Sequence, residues 1–430
     1  MPTRSNDRRR RLLVVTHLFL PDACGGAPIF SDLCHGLAGR DIDVTVRCAY
    51  PYYPEWKDKS GRNGLRIERY QDRGLTVERY GLFIPRNPRS IWQRFLYEGS
   101  FCLSICRSLF GGDRFDALII FCPLAGSIAF AGLHKLIYRR PVLLNIQDLP
   151  ADAAEAGGMT RSGWLQSLFR SIQRLLFNRA DVWRSIAPVM VEQLKGLRAH
   201  GQPIVFIPDW LHPTLAELIR RLPSKVGRPV GRPVRLLYSG NIGTKQGLLD
   251  FCKVLQASPV RFDFRIHGAG GGAARVRDWV ASFGDDRFSF GPLVDESGFV
   301  RALHEADFFV ITEKPGKGAS FFPSKTIPGM TSGTPILAVS SPDSPLGCEV
   351  RNQELGPWFS WDRCDNTPEL LRSLDSHHEE FVRWQNNAIR RSQLYDRERC
   401  LDLFQQTLES MLQGRPVEMV APLITTATAS

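Results

Sequence analysis

Short, nearly continuous apolar runs alternate with helical patterns along the chain, and this alternation constrains the fold more than any other feature. In the first half the runs are 11–20, 43–48, 117–121, 142–146 and 204–207. Runs of this length without polar alternation are typical of strands buried on both faces of a parallel sheet. Helical patterns fill the intervals, so the sequence predicts an α/β architecture with a doubly wound parallel sheet.

A basic stretch rich in proline and glycine, 222–234 (LPSKVGRPVGRPV), interrupts this series. Such a composition is typical of a linker between domains. A second series of strand patterns follows it, at 236–239, 262–267, 308–312 and 335–339. We therefore expect two Rossmann-like domains, at 11–222 and 234–385. A charged helix at 386–413 and a disordered tail at 416–430 are expected after them.

The composition restricts the class of protein and its partners. A chain of 430 residues, 43% of them apolar, can bury two ordinary cores, which excludes wholesale disorder. The net charge of +11 favours anionic partners, although a generally basic surface explains it equally well. The ten cysteines include no C-x-x-C pair, which indicates a reducing compartment and no structural metal. Because no run of about 18 uncharged apolar residues occurs, we expect a cytoplasmic protein.

A glycine-rich turn follows the first strand of each series. Gly25 and Gly26 precede a predicted helix, whose free backbone N–H groups attract an anion. The second turn, 238–247 (YSGNIGTKQG), includes Gly240 and places Lys245 just before a helix, where its charge can bind a diphosphate. Its spacing is not that of a P-loop. A tight turn without a ligand and a solvent-exposed lysine are the alternatives.

Three further segments place glycines or polar groups after strands. Segment 267–273 contains Gly268 and Gly270, and it superficially matches a dinucleotide fingerprint. Because it follows a middle strand, a turn that approaches a phosphate or sugar is the favoured interpretation over a nicotinamide site. Segment 323–326 (PSKT) adds a second lysine at a predicted helix start, with a simple helix cap as the alternative. Asp148 follows a first-domain strand, on the side of the sheet where ligands bind.

In this order, these segments resemble the retaining glycosyltransferases of family 4. That family has the GT-B fold, in which two Rossmann-like domains face each other across a cleft. The closer resemblance is to the bacterial branch with colanic-acid and O-antigen transferases, and it rests on five segments: 91–101 (IWQRFLYEGSF), 146–154 (IQDLPADAA), 207–210 (IPDW), 238–248 (YSGNIGTKQGL) and 323–338 (PSKTIPGMTSGTPILA). The resemblance extends from Arg11 to about Gln413, and it implies that the last helix returns to the first domain.

The resemblance also implies roles for individual residues. Lys245 matches the lysine that binds the donor diphosphate, and we expect Lys245 and Asp148 to be the catalytic residues. The donor-binding set implied by the matched motifs is Gly25, Gly26, Gly240, Asn241, Lys245, Gly268, Gly270, Pro323, Ser324, Lys325 and Thr326.

The sequence departs from the family pattern at several of its polar positions. The arginine that usually precedes the lysine reads Asn241, and the two carboxylates of the Glu-x7-Glu motif would fall on Ser320 and Pro328. The second of these glutamates normally holds the nucleotide ribose, so the donor base is left open. The histidine after the first-domain strand reads Gln147, which makes Asp148 the candidate for the acceptor-side polar group.

The chemistry that this resemblance implies needs neither metal nor cofactor. The departing diphosphate can itself take the acceptor's proton, so positioning and charge stabilisation account for catalysis. We expect a retaining transfer of a sugar from a nucleotide-diphosphate donor to a glycan or polyprenyl-diphosphate-linked acceptor, in bacterial cell-surface polysaccharide synthesis. No nucleic-acid partner is expected. The alternatives are a catalytically degenerate GT-B protein that binds or regulates, and a nicotinamide-linked oxidoreductase or epimerase.

A basic and aromatic group of residues suggests peripheral contact with an anionic membrane. It combines the arginines 8–11 with Arg86, Arg89 and Arg94, and with Trp92 and Phe95. Polybasic segments gain about 1 kcal/mol per charge at an anionic leaflet. We therefore expect the protein to contact the cytoplasmic face of the inner membrane, with an ordinary solvated surface as the alternative.

Overall fold

The computed structural model describes residues 9–22, 26–88, 90–112, 114–122, 125–147, 163–315 and 322–417. Within these ranges the chain forms two compact units, each with its own sheet. The first unit runs to Pro208 and resumes at Glu398, and the second is Asp209–Arg397. The prediction of two α/β domains built on parallel sheets is confirmed. The expected tail lies outside the described residues from position 418 onward.

An eight-stranded sheet forms the centre of the first unit, in the order β3-β4-β2-β1-β5-β6-β7-β8. Neighbouring strands are parallel except β3 and β4, which pair antiparallel. The strands are β1 (Arg10–Val15), β2 (Ile42–Ala49), β3 (Glu68–Asp72), β4 (Leu75–Tyr80), β5 (Ala117–Cys122), β6 (Val142–Ile146), β7 (Val182–Ser185) and β8 (Ile204–Phe206). The helices between them are α1 (Ala27–Ala38), α2 (Ile91–Cys106), α3 (Ala125–Tyr138), α4 (Gly163–Phe177) and α5 (Pro188–Lys195).

Two details of this sheet differ from the sequence prediction. The first strand ends at Val15 rather than at residue 20, because the Thr16 hydroxyl donates to the Leu18 carbonyl (3.0 Å) and accepts from the Leu18 N–H (3.3 Å). This local turn takes the backbone out of the ladder. The hairpin of β3 and β4 was not predicted. It turns at Arg73 and Gly74, whose φ angles are both positive at 46° and 88°.

A six-stranded, fully parallel sheet forms the centre of the second unit, in the order β11-β10-β9-β12-β13-β14. The strands are β9 (Val234–Asn241), β10 (Phe262–Ala269), β11 (Phe288–Gly291), β12 (Phe308–Thr312), β13 (Ile336–Val339) and β14 (Trp358–Phe359). The helices are α6 (Pro213–Arg220), α7 (Leu248–Gln256), α8 (Ala273–Phe283), α9 (Glu296–Glu305), α10 (Thr326–Thr331), α11 (Pro345–Asn352), α12 (Thr367–Ser373) and α13 (His378–Ser392).

The strand order gives this sheet a topological switch point. From β9 the chain moves to one side for β10 and β11, then crosses back to the other side for β12. The carboxyl ends of β9 and β12 therefore flank a crevice between loops that diverge, which is where open α/β sheets bind their ligands. A ligand-binding site of the second unit is therefore expected at this edge of the sheet.

The division between the units lies earlier than the expected boundary at 222. Helix α6 packs on α9 and α10 of the second unit. The proline- and glycine-rich stretch is fastened to the same unit, because Arg228 and Arg232 both contact the buried carboxylate of Asp307. Arg228 also pairs with Asp375. The composition indicated a linker, but it could not show these distant carboxylate partners.

The helix expected at 386–413 is two helices that belong to different units. The first is α13, whose Phe381 is buried in the core of the second unit. The second is α14 (Arg397–Leu412), in the first unit, where Arg40 pairs with Glu398 at 2.7 Å. Helix α14 begins eleven residues later than the expected helix, at 397 rather than 386.

The described residues also bear on metals, disulfides and membrane spans. None of their helices is long and apolar enough to cross a membrane. The cysteines within these ranges are all free. Across the same ranges, no group of three or more His, Cys, Asp or Glu side chains is placed to hold a metal ion.

Candidate functional site

The loop after β9 is fastened to the neighbouring loops of the switch point. The Ile242 N–H donates to the Ala269 carbonyl (2.7 Å), which joins the loop to the end of β10. On the other side, the Lys245 carbonyl accepts from the Lys314 N–H (2.8 Å), just after β12. Lys245 thus lies between the carboxyl ends of β9 and β12, and α7 begins three residues later. This is the place that the sequence predicted for a cation next to a helix N-terminus.

The glycines of segment 267–273 are explained by the packing of this loop. A Cβ atom on Gly268 would lie 2.3 Å from the Ile242 side chain. Gly270 has a φ of +117°, and a Cβ atom there would lie 2.2 Å from Oδ1 of Asn241. Both positions therefore need glycine so that the β10 end can approach the β9 loop. Direct contact of Gly268 and Gly270 with a donor stays a prediction.

The PSKT segment contains one buried cation. The Nζ atom of Lys325 lies 4.1 Å from the ring centroid of Tyr238, on β9, and it has no hydrogen-bond partner among the described residues. Gly240 lies beside this nitrogen, at 3.6 Å from the position of a Cβ atom, which is ordinary van der Waals contact; its φ of +130° is the feature that favours glycine there. Burial lowers the pKa of Lys325 to about 8, although Glu313 opposes the shift.

The rest of the PSKT segment differs from the expectation in its details. Thr326 is buried, and both its hydroxyl and its N–H donate to the Pro323 carbonyl. Its hydroxyl proton is therefore used within the turn, and the donor-binding role of Thr326 stays a prediction. The N-cap of α10 is Lys325 rather than Ser324 or Thr326, and no side chain caps the helix. Ser324 is exposed next to Lys325.

Glu313 is a site residue that the sequence reasoning missed. It follows β12 directly and is only 4% exposed. The Ser344 hydroxyl lies beside its carboxyl but donates to the Ser341 carbonyl (3.0 Å), and neither carboxyl oxygen makes a hydrogen bond of good geometry among the described residues. Burial raises its pKa to about 8, and the charge of Lys325, the Ser344 hydroxyl and the charge of Lys245 oppose this shift. Its backbone is fixed, because its N–H donates to Val339 (2.8 Å) and its carbonyl accepts from Trp361 (2.6 Å). A carboxylate directly after a buried strand was the available signal.

The switch point therefore combines two lysines with a buried carboxyl group. Burying a polar group without a partner costs about 1–3 kcal/mol, and more when it is charged. Native proteins seldom retain such groups without a partner or a function. The Nζ atom of Lys325 and the carboxyl of Glu313 are both buried without a hydrogen bond among the described residues, on loops that flank the ligand crevice of an α/β sheet. This arrangement can bind an anion through the lysines and hydroxyl groups through the carboxyl.

In the first unit, only some of the predicted residues are described. Gly26 is the N-cap of α1, and a Cβ atom there would lie 2.1 Å from the ring of Phe30, so the packing of this ring requires glycine. Gly25 and Asp148 lie outside the described residues. The roles predicted for these two residues therefore stay predictions.

A polar cluster at the carboxyl edge of the first sheet was also missed. Glu98, on α2, accepts a hydrogen bond from the Gly126 N–H (2.9 Å) at the start of α3, and burial raises its pKa to about 7. His17, two residues after β1, is buried, and burial followed by the charge of Arg94 lowers its pKa to about 3. The guanidinium of Arg94 stacks over Trp56 at 5.1 Å, so it faces this cluster. Arg94 therefore belongs to this cluster, and the membrane contact expected of Trp92 and Phe95 stays a prediction.

Comparisons with known proteins show what this molecule is similar to. Residues 25–210 match the family described as the glycosyl transferase 4-like domain. This part of the chain is similar to a glycosyltransferase domain. Over 346 residues the chain is 29% identical to the putative colanic acid biosynthesis glycosyl transferase WcaI of Escherichia coli K12, and the match covers 76% of this chain and 81% of the relative. The resemblance to family 4 and to its colanic-acid branch is confirmed.

Solved structures share the fold of this protein. Sucrose-phosphate synthase of Thermosynechococcus elongatus superposes with a TM-score of 0.68 at 14% identity, over 94% of this chain and 100% of that chain. HepE of Anabaena in complex with UDP superposes with a TM-score of 0.65 at 12% identity, over 93% and 100%. At these identities the likeness shows the fold alone. It is the GT-B fold, as predicted.

Proposed function

We propose that this transferase moves a sugar, with retention, from a nucleotide-diphosphate sugar to a glycan or polyprenyl-diphosphate-linked acceptor in bacterial cell-surface polysaccharide synthesis. The observation that supports this most is the buried Nζ atom of Lys325, without a hydrogen-bond partner, at the switch point that also holds Lys245. Its unmet need for an anion fits a diphosphate. The similarity to a colanic-acid transferase supports the polysaccharide pathway.

In the mechanism, the two lysines stabilise the charge that develops on the departing diphosphate. Such fixed groups need no rearrangement during the reaction, and removing one typically costs 10²–10³-fold in rate. No metal ion is required for this role. The diphosphate oxygen then takes the acceptor's proton on the same face of the sugar, so that positioning completes the catalysis. Asp148 is proposed to orient the acceptor hydroxyl.

Glu313 is proposed to accept hydrogen bonds from hydroxyl groups of the donor. A carboxylate repels the diphosphate, so the hydroxyls of the nucleotide ribose or of the transferred sugar are the groups it can bind. The buried position next to both lysines supports this role. Because HepE was crystallised with UDP and with UDP-glucose, uridine donors are the first to test.

The proposal is tested by measuring donor binding and transfer together. We expect one class among UDP-, GDP-, ADP- and CMP-sugars to raise the thermal stability, and the same donor to label a lipid-linked acceptor. Because the pKa of Lys325 is about 8, diphosphate binding near pH 8.5 should take up a proton. Calorimetry in two buffers of different ionisation enthalpy would measure this uptake.

A degenerate GT-B protein that binds or regulates is the second candidate. It is favoured by the replacement of the Glu-x7-Glu carboxylates with Ser320 and Pro328. If a donor binds but neither transfer nor donor hydrolysis occurs with any acceptor, the binding role is correct and the catalytic proposal is wrong.

A further inference from the structure

Helices α2, α3 and α4 lie on the same face of the first sheet. Each belongs to a connection that moves in the same direction across the strand order, into β5, β6 and β7 in turn. Since such crossovers are right-handed, the three helices pack on one face, while α1, which moves the other way, packs on the opposite face. Contacts of α3 with α2 and α4, and the stacking of Phe95 on Phe169 at 6.1 Å, join them into one layer.

Each helix of this layer is apolar on its outer side as well as on its inner side. On α4 the exposed apolar residues follow the helical period at Trp164, Leu168, Ile172 and Leu175. Its inner side buries Phe177. Helix α4 therefore has a second apolar side, which faces outward and would be buried only by a further binding surface.

The outer stripe continues on the neighbouring helices. On α3 it consists of Leu133, Leu136 and Ile137, which are spaced as one helix face. On α2 it consists of Trp92, Phe95, Leu96 and Leu103. The exposed fractions of these eleven side chains lie between 39% and 79%. By contrast, α1 on the opposite sheet face exposes no large apolar side chain within the described residues.

The charges of the layer are of one sign. The three helices contain a single acidic residue, Glu98, and it is turned inward onto Gly126. Arg170 and Arg174 are exposed beside the apolar stripe of α4, and Arg139 is exposed just after α3. A wide apolar surface with basic residues and no exposed acid is complementary to an anionic lipid headgroup layer over acyl chains.

We propose that the outer face of α2, α3 and α4 binds the surface of an anionic phospholipid membrane. The apolar side chains enter the boundary between headgroups and acyl chains, and the arginines contact the phosphates. Trp92 and Trp164 suit this depth, because indole rings favour membrane interfaces. The inference does not depend on the donor chemistry, since membrane binding requires no transfer.

Flotation of the full chain with vesicles tests this inference. We expect binding to phosphatidylcholine vesicles that contain phosphatidylglycerol, weaker binding to phosphatidylcholine alone, and weakening by salt. The double variant Leu168→Glu/Ile172→Glu should lose at least tenfold in partitioning. The matched control, Phe283→Glu/Leu293→Glu, changes two exposed apolar residues of the second unit and should bind as the wild type does. Thermal unfolding checks that every variant remains folded.

The charge component is tested separately. Arg170→Gln/Arg174→Gln should lose about fivefold per arginine in partitioning onto the anionic vesicles. The control, Arg275→Gln/Arg301→Gln, should change this partitioning little. It replaces two exposed arginines of the second unit. Equal losses in the test and control variants would overturn the inference. It would also be overturned if the wild type ignored vesicles and formed a dimer that Leu168→Glu/Ile172→Glu dissociates, because the face would then bind a second copy of the chain.

Discussion

Replacing Lys325 with methionine should stabilise the protein while weakening donor binding. Burial lowers the pKa of Lys325 from 10.5 to about 8. At about 1.4 kcal/mol per pKa unit, the charged form costs the folded state ~3 kcal/mol. Methionine removes that cost and fills a similar volume, but it loses the cation–π contact with Tyr238, worth about 0.5–2 kcal/mol. The expected net gain in the free energy of unfolding is ~1–3 kcal/mol.

The stability difference between Lys325→Met and the wild type should depend on pH. Above pH 10.5 the lysine is neutral in both states, so its charge has no effect on stability. As the pH falls from 10.5 to about 8, the unfolded chain binds a proton that the folded chain does not, and the wild type loses stability. The advantage of Lys325→Met should therefore grow over this window and be constant below it.

Thermal unfolding from pH 7 to 11 is the assay, together with donor affinity by calorimetry. A unit of this size shifts its Tm by about 2–4 °C per kcal/mol, so a rise of ~2–12 °C is expected at pH 7. Donor affinity should fall roughly tenfold or more with the loss of a charge-assisted contact. Lys253→Met, on the exposed side of α7, is the control. A lower Tm at pH 7, or a gain that does not vary with pH, would refute the reasoning.

Two further substitutions probe the same loops. Burial raises the pKa of Glu313 from 4.5 to about 8, so the wild type should lose stability as the pH rises from 4.5 to 8. The variant Glu313→Gln should therefore be as stable as the wild type near pH 4, more stable than the wild type near pH 8, and slower in sugar transfer. Equal melting curves of the two proteins at both pH values would contradict this. Gly270→Ala should destabilise the second unit by about 1–3 kcal/mol, because φ is +117° and its Cβ would meet Asn241. Gly271→Ala, with open space around its Cβ, is the control in chemical denaturation, and equal losses in the two variants would show that the loop packing is not the cause.

The sequence predicted the features that depend on local patterns. The apolar runs 142–146 and 308–312 are the observed strands β6 and β12. Lys245 was found because it stands between a glycine-rich turn and a helix, and Lys325 because the PSKT segment predicts a helix start. Both lie at the switch point.

The features that were missed depend on distant contacts. Glu313 directly follows a buried strand, which is a local signal for a ligand site, but its burial depends on the packing of β12 against its neighbours. In the same way, the stretch 222–234 reads as a linker until Asp307 and Asp375 are brought to its arginines. The boundary of the second unit could not be placed without those partners.

Transfer of a labelled sugar by the Lys245→Ala variant is the most direct test of the proposal that the switch point of the second sheet binds the donor diphosphate. With the donor that best stabilises the wild type, the variant should keep its melting temperature and lose transfer by about 10²–10³-fold. Lys253→Ala, a solvent-exposed lysine of the neighbouring helix, should transfer as the wild type does. A folded Lys245→Ala variant that transfers sugar at the wild-type rate would contradict the placement of the donor at this site.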